Sequence, residues 1–284
     1  MNIDFVKIEG AGNDFVLIDR IDTGSETIKW KKVVPSLCRR KFGIGADGVL
    51  VLEPHDDSDF KMRIFNPDGG EVSMCGNGAR CSAYYYFSRE EVSSTKFCTG
   101  AGIMRAEASK KGRIRLSMTQ PTGIELDILI RTEDGELSVS FIDTGVPHVV
   151  VETEKLDSLD VEKLGRAIRH NERFLPEGTN ADFLQVTGKS SLEVRTYERG
   201  VEGETLACGT GAVASAIIAS LKNKVVPPVD IKTRGGDVMK VYFQKSDDED
   251  LISRIYDVKL EGAVNRVFTG SFDIDRIKTG GCDV

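Results

Sequence analysis

Two stretches in which apolar and polar residues alternate or run together, 3–9 and 15–19, open the chain and predict strands. Between them, Gly10-Ala11-Gly12-Asn13-Asp14 is made of turn formers. Residues 27–42 predict a helix, with Pro35 expected to start or interrupt it. After Gly43-Ile44-Gly45-Ala46-Asp47-Gly48, the apolar run Val49-Leu50-Val51-Leu52 predicts a strand. Another is predicted over 60–66, ending in the turn Asn66-Pro67-Asp68-Gly69-Gly70. A helix is predicted from 76 to 89, and its run Tyr84-Tyr85-Tyr86-Phe87 predicts substantial burial. Strands follow at 96–98, 103–108 and 113–118. Gln120-Pro121-Thr122-Gly123 reads as a boundary, after which the grammar repeats. Strands are predicted at 137–142 and 148–152, an amphipathic helix at 160–170, and strands at 182–186 and 191–197. The helix predicted at 209–222 is apolar on nearly all sides, which calls for enclosure by other elements. Strands at 229–233, 238–243, 256–260 and 264–270 close the pattern.

The two helices that begin at 76 and 209 are copies. Gly70-Glu71-Val72-Ser73-Met74-Cys75-Gly76-Asn77-Gly78-Ala79-Arg80-Cys81-Ser82-Ala83 returns as Gly203-Glu204-Thr205-Leu206-Ala207-Cys208-Gly209-Thr210-Gly211-Ala212-Val213-Ala214-Ser215-Ala216, identical at eight of 14 positions. Two weaker echoes flank it. Asn13-Asp14-Phe15 is matched by Asn180-Ala181-Asp182-Phe183 with one insertion, and Thr99-Gly100-Ala101-Gly102 by Thr233-Arg234-Gly235-Gly236. Two diverged copies of one α+β unit, related by a pseudo-twofold, explain this pattern. Each copy places a cysteine at the mouth of a helix, where unpaired N–H groups and partial positive charge can hold a carboxylate and lower a thiol pKa. Two such ends facing each other would set two thiols around one small anion.

Composition narrows the partners. The formal net charge of −7 over 284 residues argues against nucleic acid or an anionic membrane, yet leaves room for an anionic substrate in a locally positive pocket. The acidic, alternating start does not resemble a signal peptide, and no apolar run is long enough to span a membrane. Six cysteines are too sparse for a disulfide scaffold and point to free thiols in a reducing cytoplasm. His55, His148 and His170 are isolated, and no Cys or His spacing suggests a metal. No cofactor motif is present: neither Gly-x-Gly copy is a Rossmann or Walker pattern, and both also read as tight turns. Cys38, Cys81, Cys98 and Cys282 read as buried structural cysteines.

The motifs together resemble the diaminopimelate epimerase family. The residues that carry the resemblance are Gly10-Ala11-Gly12-Asn13-Asp14-Phe15, Phe42-Gly43-Ile44-Gly45-Ala46-Asp47-Gly48, Phe65-Asn66-Pro67-Asp68-Gly69, Met74 through Cys81, and Tyr197-Glu198-Arg199-Gly200 through Cys208-Gly209-Thr210-Gly211. The resemblance implies two lobes, each a curled, mostly antiparallel sheet around a central helix, with the active site in the cleft between them. Residues 1–120 would form the first lobe and 121–264 the second, the chain from about 265 to 284 returning to the first. The implied reaction is cofactor-independent interconversion of LL- and meso-diaminopimelate, on the route to lysine, by a cytoplasmic homodimer (plastidic in a plant). The substrate is then a small dicarboxylic diamino acid.

The residues suit that chemistry. Removing an α-proton on one face and returning one on the other needs two acid–base groups, and a free thiol titrates near ~8.5, within reach of neutral pH. Cys75 and Cys208 take these roles. The N–H groups of Gly76, Asn77, Gly209 and Thr210 can stabilise the carboxylate as charge spreads onto it. Arg199 suits a distant carboxylate and Glu198 an ammonium group. The resemblance adds Asn13, Asn66 and Asn180 as polar contacts, although asparagine is also ordinary in turns. His148 is a candidate for the site wall or for tuning a thiol, although a histidine after a proline is more often structural than catalytic. Gly48 stands where some family members carry glutamine, so that contact is missing or supplied by backbone, and Val146 stands where Asn-Pro-His is frequent, so the asparagine contact is lost. A proline-racemase-like enzyme, an inactive relative and a thiol–disulfide redox protein are the rival readings.

Overall fold

In the computed structural model, which describes residues 2–24, 28–110, 112–246 and 255–274, the alternating segments pair into two sheets' worth of strands, each with its own helices. The chain divides into two compact units, Met1–Leu116 with Gly262–Val284, and Ser117–Glu261. Cys282 and the tail 278–284 lie outside the described residues, as does the acidic run beyond Ser246.

The first unit begins with a hairpin, β1 (Asn2–Gly10) and β2 (Asn13–Asp19). Its turn residues Ala11 (φ 55°) and Gly12 (φ 78°) are both left-handed, the conformation that joins two right-twisted strands most tightly. Helix α1 (Trp30–Cys38) buries Trp30, Val33, Val34, Leu37 and Cys38, a single face at helical spacing. Pro35 lies inside α1 rather than at either end. The helix is short and held by packing of that face, so one missing N–H does not break it. It stops well before 42 because Gly43 and Gly45 donate their N–H groups back to the carbonyls of Arg39 and Leu37. Next come β3 (Gly48–Glu53), β4 (Phe60–Phe65), the short β5 (Glu71–Val72) and α2 (Gly76–Glu90), then β6 (Ser94–Thr99), β7 (Gly102–Ala108) and β8 (Arg113–Ser117). Helix α2 touches β1, β2, β3, β4, β6 and β7, so the sheet curls around it. Of the aromatic run only Phe87 is buried; Tyr84, Tyr85 and Tyr86 are half-buried. A phenol needs a polar partner, and Tyr85 finds one by donating to Asp19 (2.8 Å).

The second unit holds β9 (Thr122–Thr132), β10 (Gly135–Asp143), β11 (Pro147–Glu152), α3 (Val161–Arg169), β12 (Asn180–Gly188), β13 (Ser191–Glu198), β14 (Gly203–Thr205), α4 (Gly209–Leu221), β15 (Val229–Thr233), β16 (Val238–Lys245) and β17 (Ile255–Ala263). Strand β18 (Asn265–Asp273) then pairs antiparallel with β1, in the first unit. Strand β9 starts where the sequence reads as a boundary: Ile124, Leu126, Ile128 and Ile130 turn inward while Glu125, Asp127 and Leu129 are exposed. Helix α4 is buried from Gly211 to Leu221, as its composition predicts.

The α+β class holds, and the repeat is complete at the level of pairing. In unit one the order is β18-β1-β2-β3-β4-β6-β7-β8, with β2–β3 and β4–β6 parallel; in unit two it is β9-β10-β11-β12-β13-β15-β16-β17, with β11–β12 and β13–β15 parallel. The Cys helices and the Thr-x-x-Gly hairpins occupy equivalent places. Thr99 Oγ1 donates to the carbonyl of Gly102, and Thr233 Oγ1 to that of Asp237. The Asn-Asp-Phe echo does not hold. Asn13 begins β2, whose counterpart is β11, whereas Asn180 begins β12, whose counterpart is β3.

The repeated glutamate has a structural role. Arg63 on β4 makes a two-pronged contact with Glu71 (2.8 and 2.7 Å), and Arg195 on β13 does the same with Glu204 (2.7 and 2.8 Å). Each pair clamps the short strand leading into a cysteine. Arg195 also donates to the carbonyls of Leu156 and Leu159 and is the more buried of the two. Arg195→Ala should therefore lower stability by about 2 kcal/mol, since it leaves the carbonyls of Leu156 and Leu159 without their donor. Arg63→Ala should cost about 1 kcal/mol. Urea midpoints measure both, and equal losses would contradict this ranking.

Candidate active site

Cys75 and Cys208 each occupy the residue immediately before a helix, with extended backbone (φ −146° and −116°). At that position the first-turn N–H groups have no helical carbonyl to bond. A Cβ added at Gly76 would meet nothing within 4 Å, so its glycine answers no packing demand and leaves the N-terminus of α2 open to a ligand. Gly78 and Gly211 are different. A Cβ at Gly78 would come within 2.9 Å of Leu50, and one at Gly211 within 2.1 Å of the Asp182 carboxylate. These glycines let each helix settle onto its sheet. Asn77 is buried, and its side chain accepts from Arg80, which leaves its backbone N–H as its contribution to the helix mouth.

Cys208 is set among polar groups. Its Sγ accepts from the N–H of Gly211 (3.4 Å) and shares a hydrogen with Thr210 Oγ1 (3.4 Å). Burial, then the carboxylates of Glu198 and Asp182, push its thiol well above the ordinary range, against those two hydrogen bonds. Glu198, accepting from Thr205 Oγ1, is itself raised, chiefly by burial. Asp182 and His148 are fully buried; Asp182 accepts from His148 Nδ1 (2.6 Å) and from Thr196 Oγ1 (2.7 Å). His148 Nε2 is buried with no partner among the described residues. Asp182 and Thr196 are the polar residues that sequence reading missed. An acid set between Ala181 and the apolar pair Phe183-Leu184 was the available signal.

The remaining candidates fall into separate groups. Asn180 donates to the carbonyl of Pro147 (2.9 Å) and accepts from the N–H of Arg199 (2.9 Å), so it fixes the Glu198-Arg199 turn. Arg199 reaches the carbonyl of Glu177 (3.2 Å) and lines a cavity of about 600 Å³ with Val146, Pro147, Phe174, Glu177 and Gly178. In the first unit, Asn13 closes the β1–β2 hairpin opposite Gly10, whose backbone packs against the start of α2 at the Asn77 carbonyl. Asn13 Oδ1 is buried without a partner among the described residues. Asn66 stands exposed in the turn between β4 and β5. Cys38 and Cys81 are buried, and burial raises both thiols, Cys38 to about 11. Among the described residues no three His, Cys, Asp or Glu side chains group as a metal requires, and no helix is long and apolar enough to cross a membrane.

The sequence model of diaminopimelate epimerase matches residues 5–124 and 140–254. This chain belongs to the diaminopimelate epimerase family. The diaminopimelate epimerase of Aquifex aeolicus (strain VF5) is 42% identical over 280 residues, covering 94% of this chain and 97% of the relative. That of Archaeoglobus fulgidus is 38% identical over 293 residues, covering 98% and 99%. Among solved structures, a PhzF-family phenazine biosynthesis protein of Bacillus anthracis aligns with TM-score 0.71 at 16% identity, over 96% of this chain and 99% of that one. A hydroxyproline epimerase from Agrobacterium vitis, with bound trans-4-hydroxy-L-proline, aligns with TM-score 0.69 at 16% identity, over 95% and 91%. At those identities the solved structures establish the fold alone.

For a diaminopimelate epimerase family member, two positions stand out. A Cβ at Gly48 would lie 2.8 Å from the Phe65 carbonyl, so a side chain enters here only if the backbone shifts. Val146 presents an apolar side chain to the cavity beside Arg199. The raised Cys208 thiol gives a sign to test. Because its pKa is elevated in the folded chain, it stays protonated through neutral pH. Alkylation of Cys208 by iodoacetamide, followed by peptide mass spectrometry, should keep rising beyond the ordinary thiol midpoint of about 8.5. Glu198→Gln should shift that rise to lower pH, and an unmoved profile would remove Glu198 from the thiol's surroundings.

Proposed function

We propose that this chain interconverts LL- and meso-diaminopimelate without a cofactor, with Cys75 and Cys208 as the two acid–base groups. The observation that carries the reading is positional. In each copy of the repeat the residue leading into the central helix is a cysteine followed by glycine, in a chain whose relatives are diaminopimelate epimerases.

The chemistry needs one thiolate and one thiol at a time. In one direction the Cys75 thiolate takes the α-proton, becoming a thiol and leaving a carbanion. The Cys208 thiol then delivers its proton to the opposite face and becomes the thiolate. The reverse direction exchanges the roles. The α-proton is a weak acid, so the carbanion requires stabilisation as its charge spreads onto the carboxylate. First-turn N–H groups of Gly76, Asn77, Gly209 and Thr210 supply preorganised dipoles for that oxyanion. The distal half of the substrate carries a second carboxylate and ammonium. Arg199 suits the first and Glu198 the second, with Asn13, Asn66 and Asn180 as further polar contacts and His148 behind Cys208. The same reading places the enzyme in a reducing cytoplasm as a homodimer, in keeping with unbridged Cys38, Cys75, Cys81, Cys98 and Cys208.

Proton exchange tests it. Reduced protein incubated with LL-diaminopimelate in D₂O, without added cofactor, should place deuterium at the α-carbon and yield the meso isomer. Cys75→Ala and Cys208→Ala should each abolish epimerisation. Exchange with another amino acid only would move the substrate, and exchange that survives both substitutions would remove the two-thiol mechanism. Asn180→Ala should raise KM about tenfold with little change in kcat, because it loosens Arg199, a contact that binds ground and transition states alike. Steady-state kinetics separate the two parameters.

A further inference from the structure

The internal repeat supplies its own control for the floor beneath each cysteine helix. In the first unit the register pairs Phe15 with Gly48 and sets Leu50 two residues on in β3, with Ile64 opposite Val72. The equivalent places in the second unit are His148, paired with Asn180, then Asp182, and Thr196 opposite Thr205. Gly78 meets Leu50 and Ile64; Gly211, its counterpart, meets Asp182 and Thr196. An apolar triad in one copy is thus a polar, hydrogen-bonded triad in the other, and all six side chains are buried. The first unit establishes that the fold is satisfied by hydrocarbon at these places. Burying an acid there costs stability unless it is paired, so the polar version answers a different demand.

That demand is visible in what the triad touches. The Asp182 carboxylate lies against Gly211, whose N–H donates to Cys208 Sγ. The titratable groups facing this thiol are Glu198 on β13 and Asp182 on β12, with His148 on β11 bonded to the latter. Strands β14 and β15 present Thr205, Ile231 and Thr233. We propose that Asp182 is a positioning residue that, together with Glu198, makes the two thiols unequal: a fixed carboxylate, oriented by His148 and Thr196 beneath the first turn of α4, favours Cys208 as the proton-bearing partner. This rests on the reading that Cys75 and Cys208 work as a pair. Two identical groups in matched seats would compete for one protonation state, whereas a proton donor and a proton acceptor are needed at once. A carboxylate at His148 Nδ1 also fixes the tautomer, so that ring nitrogen carries hydrogen.

The test uses the resting, reduced chain without substrate, so its outcome is independent of which amino acid is turned over. Iodoacetamide alkylation is followed against pH at Cys208 and Cys75 separately. In Asp182→Asn the Cys208 profile should move to lower pH by about one unit, while the Cys75 profile stays in place. The triple variant His148→Phe, Asp182→Leu, Thr196→Ile copies the first unit's floor, and should fold and move Cys208 the same way. In ¹⁵N-labelled wild type, His148 Nδ1 should carry hydrogen, read from long-range ¹H–¹⁵N couplings among only three histidines. An unmoved Cys208 profile, equal movement of both thiols, or an unprotonated Nδ1 in the wild type would overturn the proposal. Were the Cys208 shift seen in a chain that exchanges no α-proton, the proposed reaction would fall and Asp182's hold on the thiol would stand.

Discussion

Everything at the candidate site depends on how closely two helices approach the strands beneath their first turns. Gly78 and Gly211 have no space for a Cβ, and their counterparts on the sheet are a leucine in one unit and an aspartate in the other. Close approach places the residue before each helix, a cysteine, at the rim of the helix N-terminus, with the dipole end and first-turn N–H groups beside its sulfur. The Arg63–Glu71 and Arg195–Glu204 clamps then hold the chain that leads into each rim. Backbone contact sets the position, ion pairs set the approach, and the thiol is left at the helix mouth.

Position alone does not decide reactivity. The dipole and the Gly211 N–H favour a thiolate at Cys208, while burial, Glu198 and Asp182 favour a thiol, and the second set prevails. In the proposed reaction that balance suits Cys208, which would give up a proton only when a stronger base, a carbanion, is formed beside it.

Much of this was legible in the chain. The repeat around Cys75 and Cys208, the helices they head and the enclosure of α4 are local features, written in spacing and composition. What escaped depended on register. The Asn-Asp-Phe echo aligned Asn13 with Asn180 by letters, yet pairing puts them on non-equivalent strands. Asp182 and Thr196 become a pair only once β12 lies beside β13, which no linear pattern announces. Pro35 and β9 failed for the opposite reason. A proline and a Pro-Thr-Gly turn signal are strong local marks, yet the apolar faces of α1 and β9 override them. The tyrosines of α2 were read by hydrophobicity, although their hydroxyl groups keep them part-way to solvent.

The pairing of β1 with β18 has a consequence for the order in which the molecule can be built. The second unit is one uninterrupted stretch of chain, Ser117–Glu261, and can close as soon as it has left the ribosome. The first unit is made earlier but needs Asn265–Asp273 to cover the outer edge of β1. Until those residues emerge, β1 presents a row of open backbone groups to any neighbouring chain. The half that carries Cys75 is therefore the slower to mature and the more exposed to misassembly, and nascent chains cut short before β18 would fold the Cys208 half alone.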